Sequence, residues 1–320
     1  MKNKVKISIA IPTYNGGILL ERNLEILYSS TNNKKFNNFF ELVISDNGST
    51  DNTQKIVNKY TKKLNRNDIQ VKYYRRNKNI GFYYNFIKTI KIATGEYILF
   101  LCDDDHPQGN FYDEIFKLFR KNDYKKLCFL PIQRNLFKNK LNLNVFGYVL
   151  TRGSSLSGVI LKRNKVSLKN MTPTLYPHNI VYLNYFLKYG MTNINLKSRI
   201  KQIEITKISN KFGDKGDRAN RKKDFAVLDK IKIAEKFYKL KKINYLQLFI
   251  TIYKIYTWCF IIKWKFHKEK AYKTEELFFQ EIQTYDRKLI LKFSFLLIIF
   301  INLFSKKHRF YFNTLKEYLF

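Results

Sequence analysis

The 320-residue chain is poor in acidic residues, which number 25 against 60 lysines and arginines. The resulting formal charge of +35 attracts polyanions, so nucleic acid, anionic lipid and phosphorylated substrates are all candidate partners. An AT-rich genome would also produce this abundance of lysine, asparagine, isoleucine, phenylalanine and tyrosine, and charge alone does not choose between these explanations. The hydrophobic fraction of 45% is enough for a packed core and excludes global disorder.

Cysteine is also scarce, and none of the three residues, Cys102, Cys128 and Cys259, has the spacing of a metal-binding or redox motif. An odd, scattered set is typical of a reducing compartment. The first residues contain no apolar region with a cleavage site, so we expect a cytoplasmic protein. The sequence contains neither G-x-x-x-x-G-K-[ST] nor G-x-G-x-x-G, which excludes the P-loop and Rossmann fingerprints.

The amino-terminal part alternates strand-like and helix-like segments. Strands are predicted at 5–11, 41–45, 69–74 and 97–101, and helices at 19–28, 51–64 and 81–93. This alternation predicts an α/β fold, with parallel βαβ units in a doubly wound sheet flanked by helices.

The second half is less regular. A strand-like pattern with glycine breaks covers 127–161, and a helix is predicted at 179–189, ending at Gly190. We place a boundary near residue 220, with an α/β domain over 1–220 and a helical, basic and aromatic region over 221–320.

Three adjacent carboxylates, Asp103, Asp104 and Asp105, follow the fully apolar fourth strand. They repel one another, so holding them together calls for a cation or for solvent. Hard oxygen ligands suit Mg²⁺ or Mn²⁺. In an extended segment Asp103 and Asp105 face the same side and can reach one ion. The alternative is a solvated turn that caps the next helix.

Polar residues also follow the first two strands. Thr13, Tyr14 and Asn15 come after the first strand, and Asp46 ends the second. Ligands bind at the carboxyl ends of strands in such sheets, and a carboxylate there can accept an N–H from a base such as uracil. The alternative for Asp46 is an Asx-turn without a ligand. Gly81 opens a helix where the backbone can approach a ligand closely.

Four motifs in order carry a family likeness: IPTYNG, VISDNGSTDNT, NKNIGFYYNF and ATGEYILFLCDDD. They resemble the family 2 glycosyltransferases over roughly residues 5 to 110, about a third of the chain. The resemblance implies a GT-A-type fold, with a mixed, mostly parallel sheet, and a nucleotide-sugar-dependent transferase. It implies that Asp103 and Asp105, a DXD motif, bind Mn²⁺ or Mg²⁺. The donor-binding residues implied are Thr13, Tyr14, Asn15, Asp46, Asn47, Asn79, Gly81, Asp103 and Asp104.

The general base is where the sequence departs from the family. Inverting members carry a Glu-Asp pair before a helix that ends in glycine, and here His178 stands where an acid is expected. A neutral imidazole can act as a general base near pH 7, or His178 can simply cap the helix. Asp214 and Asp217 are alternative bases, and they are equally interpretable as loop acids.

Two apolar stretches near the carboxyl end, 245–266 and 289–304, are rich in aromatic residues and flanked by lysine and arginine. This pattern favours interfacial helices on an anionic inner-membrane surface, and the alternative is a buried helix pair.

We therefore expect a peripheral enzyme that transfers a sugar, with inversion, to a glycan or lipid-linked acceptor in surface polysaccharide or lipooligosaccharide synthesis. UDP is the favoured carrier, and GDP and dTDP remain open. The rival hypotheses are an inactive scaffold at the membrane and a basic nucleic-acid-binding protein. The second is disfavoured because no single dense basic patch is evident, so no nucleic acid is expected as a partner.

Overall fold

The computed structural model describes residues 5–120, 128–129, 145–150, 156–190, 192–193, 196, 198, 200–202, 226–252 and 255. Within them the strands are β1 (Ile7–Thr13), β2 (Phe40–Asp46), β3 (Gln70–Arg75), β4 (Tyr97–Phe100), β5 (Asp105–Pro107), β6 (Cys128–Phe129), β7 (Val159–Lys162), β8 (Thr192–Asn193) and β9 (Ile200–Gln202). The helices are α1 (Gly17–Ser30), α2 (Thr53–Arg66), α3 (Phe82–Ile92), α4 (Phe111–Arg120), α5 (Val145–Leu150), α6 (Pro177–Tyr189) and α7 (Ala226–Lys239). Short 3₁₀ turns lie at Lys34–Phe36 and Arg163–Lys165.

The main sheet has seven strands in the order β3-β2-β1-β4-β7-β6-β8. The pairs β3–β2, β2–β1 and β1–β4 are parallel, whereas β7 runs antiparallel to both β4 and β6. β5 and β9 form a separate antiparallel pair. The predicted fold class, a mixed and mostly parallel α/β sheet flanked by helices, is confirmed.

Burial explains why the central segments are strands. Every residue of β1, β2 and β4 is buried, as expected for parallel strands covered on both faces. The helices instead bury one stripe each. In α1 the buried leucines are Leu20, Leu24 and Leu27, whose spacing of four and three residues places them on one face.

The first four strands and three helices lie within about two residues of their predicted positions. The helix predicted at 179–189 is α6, which begins two residues earlier and ends at Gly190, whose φ is 76°.

The strand-like interpretation of 127–161 is wrong at α5. Short apolar runs do not distinguish strand from helix, and Val145–Leu150 is such a run. Phe146, Val149 and Leu150 are all buried, and their spacing of three and four residues is that of a helix face. The ring of Phe146 packs against that of Phe237 in α7, with centroids 5.4 Å apart.

The chain divides into two compact units, one of residues 1–145 and 154–223 and the other of residues 146–153 and 224–320. With the single boundary near residue 220 that the sequence predicted, residues 146–153 belong to the first domain.

The apolar stretches predicted to lie on a membrane fall mostly outside the described residues. Residues 245–252 are helical, and Trp258, Trp264 and the whole of 289–304 are beyond the described part. Among the helices that the structure describes, none has the length and apolar character needed to cross a bilayer.

Glu41 is a fully buried carboxylate near the start of β2. Its oxygens accept hydrogen bonds from the Ser8 hydroxyl (2.5 Å), the Thr94 N–H (2.6 Å) and the Gly95 N–H (3.0 Å). The Lys72 ammonium lies 2.7 Å from it. Burial acts to raise the pKa of Glu41, but the hydrogen bonds from Lys72, Ser8 and Thr94 outweigh it and the pKa lies below its usual value. These contacts connect β1, β2 and β3 with the turn that precedes β4.

Candidate active site

The register of the parallel strands brings three polar strand ends to one edge of the sheet. Thr13, the last residue of β1, lies opposite Asp46, the last of β2, and Asp46 lies opposite Arg75 on β3. β4 pairs with β1 on its other side and leads into Cys102 to Asp105. In sheets of this kind ligands bind outside the carboxyl ends of the strands.

The loop after β1 is joined to the acidic segment after β4. The Thr13 hydroxyl donates a hydrogen bond of 2.6 Å to Oδ2 of Asp103, and both residues are buried. A Cβ at Gly16 would lie 2.4 Å from the Thr13 hydroxyl oxygen and 2.9 Å from Oδ2 of Asp103, so a larger residue there would displace this pair. Tyr14 and Asn15 are half-buried, and the Asn15 side chain accepts the Thr50 N–H at 2.9 Å.

Asp46 is fully buried, and both of its oxygens have protein donors. Oδ1 accepts the Ser49 N–H at 2.8 Å and the Ser49 hydroxyl at 2.6 Å, and Oδ2 accepts the Tyr73 hydroxyl at 2.6 Å. Burial, together with this hydrogen bond to Asp46, raises the pKa of Tyr73. The Arg75 guanidinium lies 3.6 Å from Oδ2 and donates to the Ser49 carbonyl at 2.8 Å. Asp46 therefore shapes the loop; the predicted contact with a base stays a prediction.

Asn47, Asn79 and Gly81 are brought together. The Asn47 amide donates to Oδ1 of Asn79 at 2.6 Å, and that oxygen also accepts the Gly81 N–H at 2.8 Å. The Asn47 Oδ1 atom accepts the Ile80 N–H at 3.2 Å. The loop after β2 and the start of α3 thus form one hydrogen-bonded wall, and Gly48 lies against it with φ 81°.

Replacing Gly48 with alanine is expected to cost about 2 kcal/mol or more and to weaken nucleotide binding, because a Cβ there would lie 2.6 Å from the Lys78 carbonyl carbon. Gly109→Ala is the matched control, since Gly109 also has a positive φ, 60°, lies outside the proposed donor site, and a Cβ there would meet its nearest neighbour, Ser198 Oγ, at an ordinary 3.4 Å. Chemical denaturation and UDP calorimetry on both variants would test this. Equal losses in the two variants would contradict a steric role for Gly48.

The sequence predicted an extended acidic segment, but the structure shows a turn. Asp103 and Asp104 form a turn, and β5 begins at Asp105. The carboxylates therefore do not alternate along a strand: Asp103 bonds to Thr13, while oxygens of Asp104 and Asp105 lie with the Cys102 sulfur within 4.8 Å of one another. A turn is favoured because the Asp105 N–H reaches the Cys102 carbonyl at 3.4 Å and the Asn23 amide donates to the Cys102 and Asp105 carbonyls, both at 3.0 Å.

Asp105 has the perturbed acidity expected of a ligand-binding carboxylate. Burial, and then the charge of Asp104, raise its pKa from 3.8 to about 6, although hydrogen bonds from Ser157 and Cys102 act to lower it. Burial and the same two carboxylates raise the pKa of the Cys102 thiol, so this sulfur is not poised as a thiolate.

The residues present fit a divalent cation. Two carboxylates held close together, one of them ionised only above about pH 6, form a site whose repulsion a cation would relieve. Carboxylate oxygens are the donors that Mg²⁺ and Mn²⁺ prefer, whereas the Cys102 sulfur is a softer donor than either ion selects. Asp104 and Asp105 are the pair that the geometry favours, and the predicted pair of Asp103 and Asp105 stays a prediction.

His178 lies in the first turn of α6 and is only 5% exposed. Its ring is packed among those of Tyr182 (5.6 Å), Tyr176 (5.8 Å), Phe82 (6.2 Å) and Phe86 (6.2 Å). These contacts fix the ring at the start of α6, and its role as a general base stays a prediction. The other base candidates, Asp214 and Asp217, lie outside the described residues.

Three further residues contribute to this edge and were not predicted from the sequence. Ser157 bonds to Asp105, Tyr73 bonds to Asp46, and Asn85 donates to the carbonyls of Thr13 (3.2 Å) and Ser45 (2.8 Å). Asn85 lies in the NKNIGFYYNF motif, where a polar residue on the buried face of a helix is the available signal. Ser157 and Tyr73 contact residues 52 and 27 positions away, and nothing local marks them.

With this geometry established, comparison with known proteins identifies the chain. The family model described as "Glycosyl transferase family 2" matches residues 8–190. The chain belongs to this family. Membership confirms the family predicted from the four motifs.

Several curated glycosyltransferases match a shorter segment of the chain. An uncharacterized glycosyltransferase of Mycoplasma pneumoniae is 33% identical over 39% of this chain and 40% of its own length. The abequosyltransferase RfbV of Salmonella typhimurium is 37% identical over 31% of this chain and 28% of its own length. A poly(ribitol-phosphate) beta-glucosyltransferase of Bacillus spizizenii is 37% identical over 32% of this chain and 15% of its own length. This chain therefore spans less than half the length of each.

Solved structures show the same fold. S. aureus TarS 1-349, in complex with UDP-GlcNAc, superposes with a TM-score of 0.55 at 17% identity, covering 84% of this chain and 75% of its own. A mannosyltransferase of Pyrobaculum calidifontis, in complex with GDP-Man and Mn²⁺, gives a TM-score of 0.50 at 12% identity, covering 92% of this chain and 84% of its own. These likenesses bear on the fold alone.

Proposed function

We propose that this family 2 protein transfers a sugar from a UDP-linked donor to a glycan or lipid-linked acceptor of a bacterial surface polysaccharide or lipooligosaccharide, with inversion at the anomeric carbon. The observation that carries the proposal is the hydrogen bond of 2.6 Å between Thr13 and Asp103. It joins the loop proposed to hold the nucleoside to the acidic turn proposed to hold the diphosphate.

The nucleoside part of the donor is proposed to lie between the loops after β1 and β2. Thr13, Tyr14 and Asn15 form one side, and Asp46 and Asn47 form the other. Because Asp46 is bonded to Ser49 and Tyr73, its carboxylate is held in one orientation before any ligand arrives. Asn79 and Gly81 are proposed to lie along the nucleotide, and Asp103 and Asp104 to face the ribose and diphosphate. Preorganised donors and acceptors of this kind spare the cost of ordering them on binding.

A divalent ion, Mn²⁺ or Mg²⁺, is proposed to be held by Asp105, with Asp103 or Asp104 as the second ligand. When bound, it would neutralise charge on the diphosphate that leaves. The protein's own contribution is to fix the carboxylates: the Ser157 and Thr13 hydroxyls orient Asp105 and Asp103 respectively.

The acceptor hydroxyl must lose a proton as its oxygen bonds to the anomeric carbon and the bond to the nucleoside diphosphate breaks. His178 and Asp217 remain the proposed bases. The position of His178 in the first turn of α6 supports it as a base, and its packing among four rings equally supports a role in shaping the start of α6.

Relatives support the substrate class. The name of RfbV describes a transferase of abequose. The name of the B. spizizenii protein describes a transferase of glucose that acts on poly(ribitol-phosphate). TarS has been solved with UDP-GlcNAc, which favours UDP, and the P. calidifontis protein with GDP-Man and Mn²⁺, which supports a metal and keeps GDP as the second choice. We further propose a peripheral position on the anionic cytoplasmic face of the membrane, on the basis of the basic, aromatic carboxyl-terminal sequence.

Titrating UDP into the full chain by calorimetry, with and without Mn²⁺, tests the proposal. We expect binding that Mn²⁺ strengthens at least about tenfold, since an ion held by the carboxylates would also attract the negatively charged diphosphate. GDP and dTDP serve as specificity controls, and UDP-sugars are then screened for UDP release.

Failure of all three nucleotides to bind would overturn the proposal and leave the inactive scaffold. Nucleotide binding that EDTA does not alter would retain the donor site and remove the metal. Tighter binding of random DNA than of UDP, lost with rising salt, would favour the nucleic-acid hypothesis.

A further inference from the structure

Ser157 contacts the acidic turn, the segment from Cys102 to Asp105. It is fully buried just before β7, the strand antiparallel to β4. Its hydroxyl donates to Oδ2 of Asp105 at 2.5 Å and accepts the Cys102 N–H at 2.7 Å. One side chain therefore contacts both the first residue of the turn and its last carboxylate.

The position of Ser157 is itself fixed from a neighbouring helix. Tyr182 of α6 is fully buried, and its hydroxyl donates a hydrogen bond of 3.0 Å to the carbonyl of Leu156, the residue before Ser157. The Tyr182 ring packs 6.1 Å from that of Phe100, the last residue of β4. The backbone at Ser157 is thus held by the same helix that carries His178.

The acidic turn is bonded from both sides of β4. From β1 the Thr13 hydroxyl holds Asp103, and from the start of β7 the Ser157 hydroxyl holds Asp105. Since a carboxylate rotates about χ1 and χ2 unless something binds it, these two hydroxyls select the orientation in which the turn meets a ligand.

We infer that Ser157 is a positioning residue for the donor-metal site: it sets the orientation of the Asp105 carboxylate, and Tyr182 holds Ser157 in place. The inference rests on the proposed function, because it assigns Asp105 to the ion. Hydrogen-bond partners that orient a metal ligand change metal affinity about 10- to 100-fold when removed.

Ser8 provides a matched control. It is also fully buried, its hydroxyl also donates to a carboxylate, that of Glu41, at 2.5 Å, and it also accepts a backbone N–H, that of Gly95, at 2.8 Å. It lies five residues before Thr13 on β1, about 17 Å along the strand from the acidic turn. Ser8→Ala therefore removes the same two kinds of hydrogen bond, one to a carboxylate and one from a backbone N–H, at a distance from the site.

The test is Mn²⁺ binding to the full chain, followed by the electron paramagnetic resonance signal of free Mn²⁺, for wild type, Ser157→Ala and Ser8→Ala. We expect Ser157→Ala to weaken Mn²⁺ binding about tenfold and Ser8→Ala to leave it within about twofold. In UDP release, saturating Mn²⁺ should restore most of the Ser157→Ala rate, so the defect appears in the Mn²⁺ requirement and not in kcat. Tyr182→Phe should weaken Mn²⁺ binding about threefold, and it serves as the readout if Ser157→Ala does not fold.

Wild-type Mn²⁺ affinity in Ser157→Ala, or equal weakening in Ser157→Ala and Ser8→Ala, would overturn the inference while leaving the proposed function standing. Absence of Mn²⁺ binding to the wild-type chain would instead remove the metal from the proposed function, and the inference with it. Should only Tyr182→Phe be testable, unchanged Mn²⁺ affinity in that variant would overturn the inference, which requires Tyr182 to hold Ser157 in place.

Discussion

Asp105→Asn is expected to lower sugar transfer by about 100-fold or more and, at the same time, to stabilise the unliganded protein at neutral pH. The rate falls because a neutral amide cannot supply the charge proposed to hold the ion. Asparagine keeps the shape of the side chain and an oxygen that can accept the hydrogen bond from Ser157. The variant therefore separates charge from packing.

The gain in stability follows from the direction of the Asp105 pKa. Burial and Asp104 raise it from 3.8 to about 6, so the folded protein holds the proton more tightly than the unfolded chain does. This contribution to stability is fully present below pH 3.8 and is lost as the pH rises through about 6. At pH 7.5 the ionised carboxylate therefore destabilises the fold, by up to about 3 kcal/mol for a change of this size.

Denaturation of both proteins at pH 5 and pH 7.5, without metal, measures this effect. The free energy of unfolding of the wild type should fall between pH 5 and pH 7.5, and that of Asp105→Asn should fall by less. Asp113→Asn is the control, because Lys117 and Lys35 lower the pKa of Asp113, and removing that surface charge should not stabilise the protein. A less stable Asp105→Asn at pH 7.5 would mean that the carboxylate is not under electrostatic strain.

Glu41→Gln is expected to destabilise the protein by about 3 kcal/mol, because it removes the charge of a fully buried carboxylate whose partner, Lys72, is partly buried. The lost charge leaves the Lys72 ammonium without its partner at 2.7 Å, and the new amide hydrogens meet donors from Ser8, Thr94 and Gly95. Since the pKa of Glu41 is lowered by folding, its stabilising contribution is present above pH 4.5 and is lost as the pH falls through the folded value. The variant should lose less stability on acidification than wild type.

Glu21→Gln is a control matched in distance, because Glu21 also lies 2.7 Å from a lysine, Lys59. That pair is largely exposed, with 32% and 53% of the two side chains accessible, so its removal should cost less than about 1 kcal/mol. Chemical denaturation gives both values, and UDP affinity of the folded Glu41→Gln protein should be unchanged. Similar costs for Glu21→Gln and Glu41→Gln would show that burial contributes nothing to the Glu41 pair.

The sequence predicted the parts of the fold that depend on local pattern. β4 is a continuous apolar run, β1 and β2 are largely apolar, and α1 repeats leucine at helical spacing, so the local pattern located them. The short segment α5 was misassigned because six apolar residues satisfy either periodicity, and packing against Phe237 decides between them.

The site was predictable at the level of which residues meet, since the carboxyl ends of parallel strands share an edge. It was not predictable at the level of individual bonds. Asp103 and Asp105 were expected to point together, yet a turn gives one to Thr13 and the other to Ser157. Those partners are 90 and 52 residues distant in sequence, and only the order of β1, β4 and β7 in the sheet brings them within reach.

Ser8 and Thr13 stand five residues apart on β1 and serve opposite ends of the sheet. The Glu41 network joins the strands at one end, while the loops proposed to bind the donor follow the strands at the other. Substitutions in the loops after the strands therefore leave the hydrogen bonds of this network in place. One strand, β1, therefore contributes both to the stability of the sheet, through Ser8, and to the proposed donor site, through Thr13.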